Sequence, residues 1–328
     1  MHKTLRSICI VLALALFSAC SSRDDRGNGR VVQKAGENAA PEAADLYWKR
    51  VSGPQGDWIA DRMGNTIPLT RYHRIVVISP GAVETLYLIG AEDSILAIPQ
   101  NREPIWPEEK TALLPTVGNQ ARPDQELIVS LEPDLIIGNT MNVSLVEDFS
   151  RRGYRAIIHG AYCMDDIFNS ALLMGLLTGR EAAAEHLVAD KRAKLSVIKT
   201  ELEEHPLRLK GAFLYAANPV MAFTGATLAG EILRILGTEN IAEGLDAAQP
   251  ILSPEYILTE NPDFLFGSIS LRIPEDVLAA DPVIAQTRAG RKMHIRTVPS
   301  SLFLRSSPRI VENLLELYKT VKEFSQDL

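Results

Sequence analysis

Residues able to carry chemistry are few and dispersed in this chain. No Gly-rich phosphate loop, His-Glu-x-x-His motif or Gly-x-Ser-x-Gly motif occurs in the sequence. Cys163 has no histidine beside it, which favours a partly buried thiol over a nucleophile. Among the scattered histidines, only His159 falls at the end of a predicted strand; the others beyond the N-terminus are His73, His186, His205 and His294. We therefore expect binding rather than turnover, because turnover requires a positioned acid, base or nucleophile.

Length and charge limit the elements that can position these residues. The chain has 328 residues, 46% of them apolar, with 34 Lys and Arg against 41 Asp and Glu, a formal charge of -7. An acidic chain lacks the basic footprint that nucleic acid demands, and this composition excludes a disordered chain and a multi-pass membrane protein. Because single cores stop growing beyond roughly 250 to 300 residues, we expect two lobes.

The N-terminus has the pattern of a secretory signal. Lys3 and Arg6 precede an uncharged apolar run over 8–17, which is too short to span a bilayer. Ser18-Ala19-Cys20 resembles a bacterial lipobox, which predicts removal of residues 1–19 and lipidation of the cysteine. An ordinary signal peptide cut nearby and a buried core helix are the alternatives. A signal of either kind predicts export.

The segment after Cys20 predicts a tether. Residues 20–45 are rich in Ser, Asp, Gly, Asn and Ala and contain almost no large apolar side chains. With Cys9 removed and Cys20 acylated, only Cys163 remains, so no disulfide is expected in the mature chain. The lipid would hold the protein at the bacterial cell envelope, in the periplasm or on the outer face of the cytoplasmic membrane.

From Trp48 onward, short β-branched runs alternate with amphipathic stretches, the pattern of an α/β fold with parallel strands and helices on both faces. We expect an N-terminal lobe over 46–178, a spine helix in 179–205 and a C-terminal lobe over 206–328, each lobe doubly wound in three layers. Predicted strands of the first lobe are 74–78, 95–98, 135–137 and 156–158, and predicted helices are 82–89, 124–131, 143–152 and 165–177. The alternation resumes over 211–215, 227–236, 254–259, 264–266 and 294–298 and closes with a helix over 308–324.

One helix stands out by its length. Residues 181–204 lack Gly and Pro, are rich in Ala, Leu, Lys and Glu, and end before His205-Pro206. Four side chains share one apolar face of this helix: Leu187, Leu195, Ile198 and Leu202. The helix should therefore pack on both lobes and fix their separation.

The two halves of the chain also repeat one another. Each half carries a Glu-bearing helix that ends at Gly, then a Pro-Asp pair that opens a buried strand ending at Gly. These positions are Glu84, Gly90, Pro133-Asp134 and Gly138, then Glu231, Gly237, Pro262-Asp263 and Gly267. The matched order favours duplication over chance similarity of strand–turn–helix units. Duplicated lobes would place one site in the crevice between them, at the carboxyl ends of the strands.

Three segments resemble the helical-backbone periplasmic binding proteins of ABC importers, the family that carries ferric siderophores, haem and cobalamin. They are 74–90 (RIVVISPGAVETLYLIG), Val117-Gly118 leading to 131–137 (LEPDLII), and 299–311. Residues 61–68 (DRMGNTIP) are similar to a short N-terminal hairpin of many members. The resemblance covers roughly 58–324. It implies two lobes joined by one long helix, no resident cofactor, and an ABC permease with its ATPase as partners.

The resemblance also implies site residues. The family places one exposed Glu on each lobe to engage Arg pockets of the permease, and Glu84 and Glu231 occupy matched positions here. A rigid spine would leave the cleft largely preformed and suited to bulky chelates. Ligand-binding candidates lie in loops after strands: Arg102, Trp106, Asn119, Arg122, Asn139, Tyr162, Phe223, Arg272, Phe303 and Arg305, with Met141 and Asn218 beside them.

Four arginines among these candidates would put positive charge in the cleft of an acidic protein, which favours an anionic ferric siderophore. Arg305 is the strongest candidate, because 303–309 is similar to the family's cleft-facing loop. In cobalamin binders that loop commonly carries a Trp, where this chain has Leu302 and Phe303. Tyr162 is a possible haem ligand, so haem and cobalamin stay open.

Two other function classes also stay open. One is an enzyme or chelatase acting on a tetrapyrrole in the same cleft, with His159 and Cys163 as ligands. The other is a structural envelope lipoprotein. A ligand released unchanged favours transport, and a modified ligand favours catalysis.

Overall fold

A computed structural model describes residues 46–54 and 56–327. The predicted signal peptide (1–19), the lipidation site Cys20 and the predicted tether (20–45) lie outside the described residues. The described chain begins with a three-stranded antiparallel sheet of β1 (Trp48–Gly53), β2 (Gly56–Asp61) and β3 (Thr66–Pro68). The predicted hairpin over 61–68 is the turn and return strand of β2–β3.

The first lobe is a six-stranded, largely parallel sheet with its helices. Its strands are β4 (Ile75–Val77), β5 (Ile95–Gln100), β6 (Thr116–Asn119), β7 (Arg122–Pro123), β8 (Leu135–Asn139) and β9 (Ala156–His159). Its helices are α1 (Pro80–Leu88), α2 (Glu108–Thr111), α3 (Gln125–Ser130), α4 (Val143–Arg151) and α5 (Met164–Thr178). The strand order is β7-β6-β5-β4-β8-β9, and only the β6–β7 edge pair is antiparallel. Every residue of β4 and β8 is buried, as continuous β-branched runs predict.

A long helix, α6 (Glu181–Glu204), follows. The second lobe then has strands β10 (Lys210–Ala217), β11 (Val220–Ala222), β12 (Glu239–Asn240), β13 (Phe264–Gly267) and β14 (Ile295–Thr297). Its helices are α7 (Leu228–Ile235), α8 (Pro254–Glu260), α9 (Pro274–Ala280), α10 (Arg288–Lys292), α11 (Ser300–Phe303) and α12 (Ile310–Gln326). Strand β10 pairs in parallel with β12 and β13, β13 pairs in parallel with β14, and β11 adds an antiparallel edge. The short strands β1, β6, β7, β11 and β12 are not predicted from the sequence.

The two lobes share a helical junction. On α6, Ala184 and Leu187 pack on the core of the first lobe, whereas Val188 and Ile198 belong to a core of the second. Leu195 and Leu202 pack on that second core too, so the predicted apolar face is confirmed. Helix α5 also joins both cores, which the sequence does not predict. Of the helices described between residues 46 and 327, none has the length and apolarity needed to cross a bilayer.

The aspartate of the repeated Pro-Asp pair makes equivalent hydrogen bonds in each half. The Asp134 carboxylate accepts the backbone N–H groups of His73 and Arg74, at 2.8 and 3.0 Å, just before β4. The Asp263 carboxylate accepts the N–H of Lys210, at 2.9 Å, where β10 begins. Each aspartate therefore ties the start of one central strand to its neighbour.

Candidate functional site

The carboxyl ends of the parallel strands carry most of the predicted site residues, as expected for open α/β sheets. Large apolar side chains are exposed in these loops. Trp106 follows β5, Met141 follows β8 with 55% of its surface exposed, and Tyr162 follows β9. On the second lobe, Ile269 and Ile273 are exposed after β13. Exposed apolar surface at strand ends suits a ligand with a large apolar area.

A pocket of about 420 Å³ opens at this edge of the first lobe. Its walls come from the β6–β7 hairpin and from the loop between β8 and α4. Among its lining residues are Arg122, Gln125, Thr140, Met141 and Ser144. The pocket therefore combines one guanidinium with an exposed thioether and several hydrogen-bonding groups.

Three of the four predicted arginines are available to a ligand. Arg102, Arg122 and Arg272 are exposed, and within the part of the chain that the structure describes none of them forms an ion pair. They follow β5, β6 and β13, so both lobes contribute. Exposed guanidinium groups favour anionic ligands because they form bidentate bonds to carboxylate-like oxygens.

The structure does not leave Arg305 facing a ligand. Its side chain is only 10% exposed, and its Nη1 donates to Glu84 Oε1 at 3.0 Å and to the carbonyl of Pro104 at 2.6 Å. The Nη2 atom donates to the carbonyl of Glu103 at 2.8 Å. The expectation of a free cationic contact at this position is therefore wrong, because the first lobe already occupies the guanidinium.

The two predicted phenylalanines are core residues. Phe223 and Phe303 are buried in the second lobe, with ring centroids 5.8 and 6.3 Å from that of Phe213 on β10. Their aromatic faces pack against the sheet, so they do not line an open cleft. Position after a strand did not reveal this, because it does not say to which side a loop residue turns.

The predicted asparagines shape loops. The Asn119 side chain accepts the N–H groups of Ala121 and Arg122, which forms the β6–β7 turn. Asn139 is buried; its amide donates to the carbonyl of Ile78, and its carbonyl accepts the N–H of Met141. These contacts support the edge of the site. Asn218 lies exposed in the turn between β10 and β11.

The surroundings of His159 and Cys163 indicate structural roles for both side chains. Nδ1 of His159 lies 2.9 Å from Ser79 Oγ, and burial lowers the pKa of His159 to about 4. Burial raises the pKa of the Cys163 thiol to about 12, so the nucleophilic thiolate is strongly disfavoured. Among the described residues, no group of three or more His, Cys, Asp or Glu side chains is placed to hold a metal ion.

Glu84 and Glu231 are buried, contrary to the exposure expected of docking residues. Glu84 is bound by Arg305 and Arg309, and Glu231 accepts the N–H of Met164 at 2.8 Å. Burial raises the pKa of Glu231. The helices that carry both residues turn them inward, so neither carboxylate is accessible to a partner.

Another matched pair of acids is exposed. Glu126, in the first turn of α3, lies seven residues before Pro133, and Glu255, in the first turn of α8, lies seven residues before Pro262. Neither residue is among the candidates predicted from the sequence, although the equal spacing to the repeated Pro-Asp pair is a signal that could have identified them. Both carboxylates face solvent.

Comparison with known proteins identifies the family. Residues 75–302 match the sequence profile of the family described as Periplasmic binding protein. The Vitamin B12-binding protein of Vibrio parahaemolyticus is 23% identical over 252 residues, which span 74% of this chain and 87% of that protein. The Petrobactin-binding protein YclQ of Bacillus subtilis is 24% identical over 275 residues, which span 80% of this chain and 85% of YclQ.

Solved structures show the same fold. The crystal structure of YclQ superposes with a TM-score of 0.68 at 21% identity, covering 85% of this chain and 98% of YclQ. The periplasmic heme-binding protein RhuT from Roseiflexus superposes with a TM-score of 0.66 at 22% identity, covering 77% of this chain and 99% of RhuT. The chain therefore has the two-lobe α/β fold of these periplasmic binding proteins. The chain therefore belongs to the periplasmic binding protein family, in its helical-backbone form.

Proposed function

We propose that this protein captures a bulky metal chelate in the crevice between its lobes and delivers it to an ABC permease with its ATPase. An anionic ferric siderophore is the preferred ligand. The observation that carries this proposal is the set of three exposed arginines without ion-pair partners in the described chain, Arg102, Arg122 and Arg272, beside exposed apolar side chains. The relative that binds petrobactin supports the same ligand class.

Cobalamin is the second candidate. The exposed Met141, Ile269 and Ile273 favour a ligand with a large uncharged surface, and several similar proteins bind vitamin B12. Haem is a further possibility through Tyr162, which is exposed and has the Arg62 guanidinium 5.0 Å from its ring centroid. These alternatives differ in ligand charge, so one titration series separates them.

Tryptophan fluorescence provides the assay. Trp106 is exposed at the site, whereas Trp58 lies on the β2 strand of the N-terminal sheet. We expect ferric citrate or a ferric catecholate to quench the emission, and Trp106→Phe to remove most of the quenching while Trp58→Phe does not. Tighter binding of cyanocobalamin than of every anionic ferric complex would contradict the siderophore assignment.

The arginines supply a second test. Replacing Arg102, Arg122 and Arg272 by Gln should weaken binding of an anionic complex at least roughly tenfold, and the loss should shrink at high salt. Arg151→Gln is the matched control, because Arg151 is an exposed arginine at the end of α4. An equal loss in the control would point to net charge rather than to the site.

Docking to the permease requires exposed carboxylates on both lobes, and we assign this role to Glu126 and Glu255. Ion pairs at the rim of a complex orient partners and raise the encounter rate more than the affinity. The double change to Ala should reduce uptake in cells while ligand binding stays normal. Glu204→Ala, which removes an exposed acid at the end of α6, is the control. Normal uptake in the double variant would contradict the assignment.

Lipidation at Cys20 is part of the proposal and rests on the lipobox sequence alone. Cys20→Ser should abolish incorporation of labelled palmitate and release the protein from the membrane fraction. If the wild type incorporates no palmitate and fractionates as Cys20→Ser does, the lipidation assignment is contradicted and an ordinary exported protein is indicated.

A further inference from the structure

A cluster of charged side chains joins the two lobes beside the crevice. It comprises Glu84 on α1, Glu103 after β5, and Arg305 and Arg309 before α12. Glu84 is 1% exposed, and its Oε1 lies 3.0 Å from Arg305 Nη1 and 3.2 Å from Arg309 Nη1. One buried carboxylate of the first lobe is thus shared by two guanidinium groups of the second.

Further bonds in the cluster reach the backbone. Arg305 donates to the carbonyls of Glu103 and Pro104 in the first lobe. In the opposite direction, the Glu103 carboxylate accepts Ser300 Oγ at 2.9 Å and the Ser301 N–H at 2.8 Å. Burial would raise the pKa of Glu103, but the bonds from Ser301 and Ser300 outweigh it and lower that pKa. Glu103 is therefore held in its ionised form.

Close backbone packing accompanies these bonds. A Cβ placed on Gly81, in the first turn of α1, would lie 1.5 Å from the carbonyl oxygen of Arg305. The Arg309 guanidinium lies 4.9 Å from the ring centroid of Trp106, a distance typical of a cation–π contact. Side chains and backbone therefore close the same interface, and the glycine permits the approach.

The charges of the cluster balance. The cluster contains two glutamates and two arginines, so it presents no surplus positive charge to a ligand. Glu84 pairs with both arginines, and the charge of Arg305 also acts on Glu103. Removing one partner of a buried pair leaves the other charge buried and uncompensated, which is strongly unfavourable. An anionic ligand would have to compete with Glu84 for the guanidinium groups of Arg305 and Arg309.

We propose that Glu84, Glu103, Arg305 and Arg309 form an interlobe latch that holds the crevice at its binding width. Arg305 is then a positioning residue that acts through lobe geometry and does not touch the ligand. Preorganisation of this kind raises affinity by removing the cost of ordering the site during binding. The effect on affinity rests on the function proposed above, whereas the latch itself can be tested without a ligand.

Hydrogen–deuterium exchange of the full chain is the direct test. Arg305→Met and Glu84→Gln should each speed exchange of the Ser301 amide at least about tenfold, because that amide is protected by its bond to Glu103 across the interface. Amides of β4 and β13 should exchange as in the wild type. Since both changes break one cluster, the double variant should exchange no faster than the faster single variant.

The control is Arg234→Met. Arg234 pairs with Glu231 at 2.8 Å within α7, the ion pair of the matched glutamate, but that pair lies inside one lobe. This change should leave Ser301 exchange as it is in the wild type. Two results would overturn the latch. One is a Ser301 amide that exchanges in Arg305→Met as slowly as in the wild type, and the other is exchange that speeds up equally at Ser301 and at the amides of β4 and β13. If Arg305→Met does not fold, Arg305→Lys replaces it, because a lysine has no planar fork to bridge Glu84 and two carbonyls.

Ligand binding separates positioning from contact. We use neutral cyanocobalamin and anionic ferric citrate as probes, each at low and high salt. The latch predicts that Arg305→Met weakens every probe the wild type binds by a similar factor at both salt concentrations. A loss of affinity that is confined to ferric citrate and reduced by salt would show that Arg305 contacts the ligand, and it would overturn the positioning role. If the wild type binds no chelate, the proposed function fails while the exchange experiment still decides the latch.

Discussion

Replacement of His159 tests whether the end of β9 is a packed structural position or a ligand for metal chemistry. The ring is 2% exposed, its Nδ1 lies 2.9 Å from Ser79 Oγ, and its Nε2 lies 3.5 Å from Ser170 Oγ. Trp48 packs edge-on with the centroids 5.8 Å apart. Burial in these surroundings disfavours the imidazolium and lowers the pKa of His159 from 6.5 to about 4.

The magnitude follows from that pKa. The unfolded chain takes up a proton on this histidine near pH 6.5, and the folded protein does so only near pH 4. The contribution of the neutral His159 ring to the free energy of unfolding is therefore fully present above pH 6.5, and it falls as the pH decreases toward 4. At about 1.4 kcal/mol for each tenfold change in proton affinity, the loss reaches roughly 3 kcal/mol.

Urea unfolding between pH 4 and 7 measures this loss. His159→Gln keeps a side chain able to bond Ser79 but cannot be protonated, so its free energy of unfolding should decline less on acidification than that of the wild type, by roughly 3 kcal/mol. His205→Gln, at an exposed position after α6, should follow the wild type. An equally steep decline in His159→Gln would refute the buried neutral histidine.

Three further changes have defined outcomes. Lys194→Pro breaks α6 within the segment that packs on the core of the second lobe and should cost roughly 3 kcal/mol more than Lys194→Ala, which removes the same ion pairs; wild-type stability and affinity in the proline variant would contradict the spine. Burial raises the pKa of Glu231, so its protonated carboxyl stabilises the folded protein at low pH. This contribution to stability is lost as the pH rises through the raised pKa. Glu231→Gln should therefore gain stability relative to the wild type with rising pH, and parallel melting curves from pH 4 to 8 would argue against this. Gly81→Ala should lower stability by about 1–3 kcal/mol through overpacking against Arg305; an unchanged melting temperature would show that the backbones separate without cost.

Much of the fold is readable from sequence because its signals are local. The sequence predicts the spine over 181–204, the bounds that α6 has in the structure, since a long stretch without Gly or Pro carries its own helix propensity. Gly90 and Gly237 end matched helices with a φ of 69° at both, a conformation that glycine adopts without strain. The repeated motifs of the two halves, the α/β class of the fold and the family follow from such patterns.

The site depended on tertiary contacts that lie far apart in sequence. Spacing places Glu84 on a helix and Arg305 in a loop, but it does not show that each is the other's partner across 221 positions. Phe303 follows a strand, as the exposed Ile269 does, yet it turns toward Phe213 and becomes core. Periodicity defines the face of an element on which a residue lies, and the packing of the lobes decides what covers that face. The sequence therefore determined the elements and their order, while the tertiary structure decided which charged side chains remain available to a ligand.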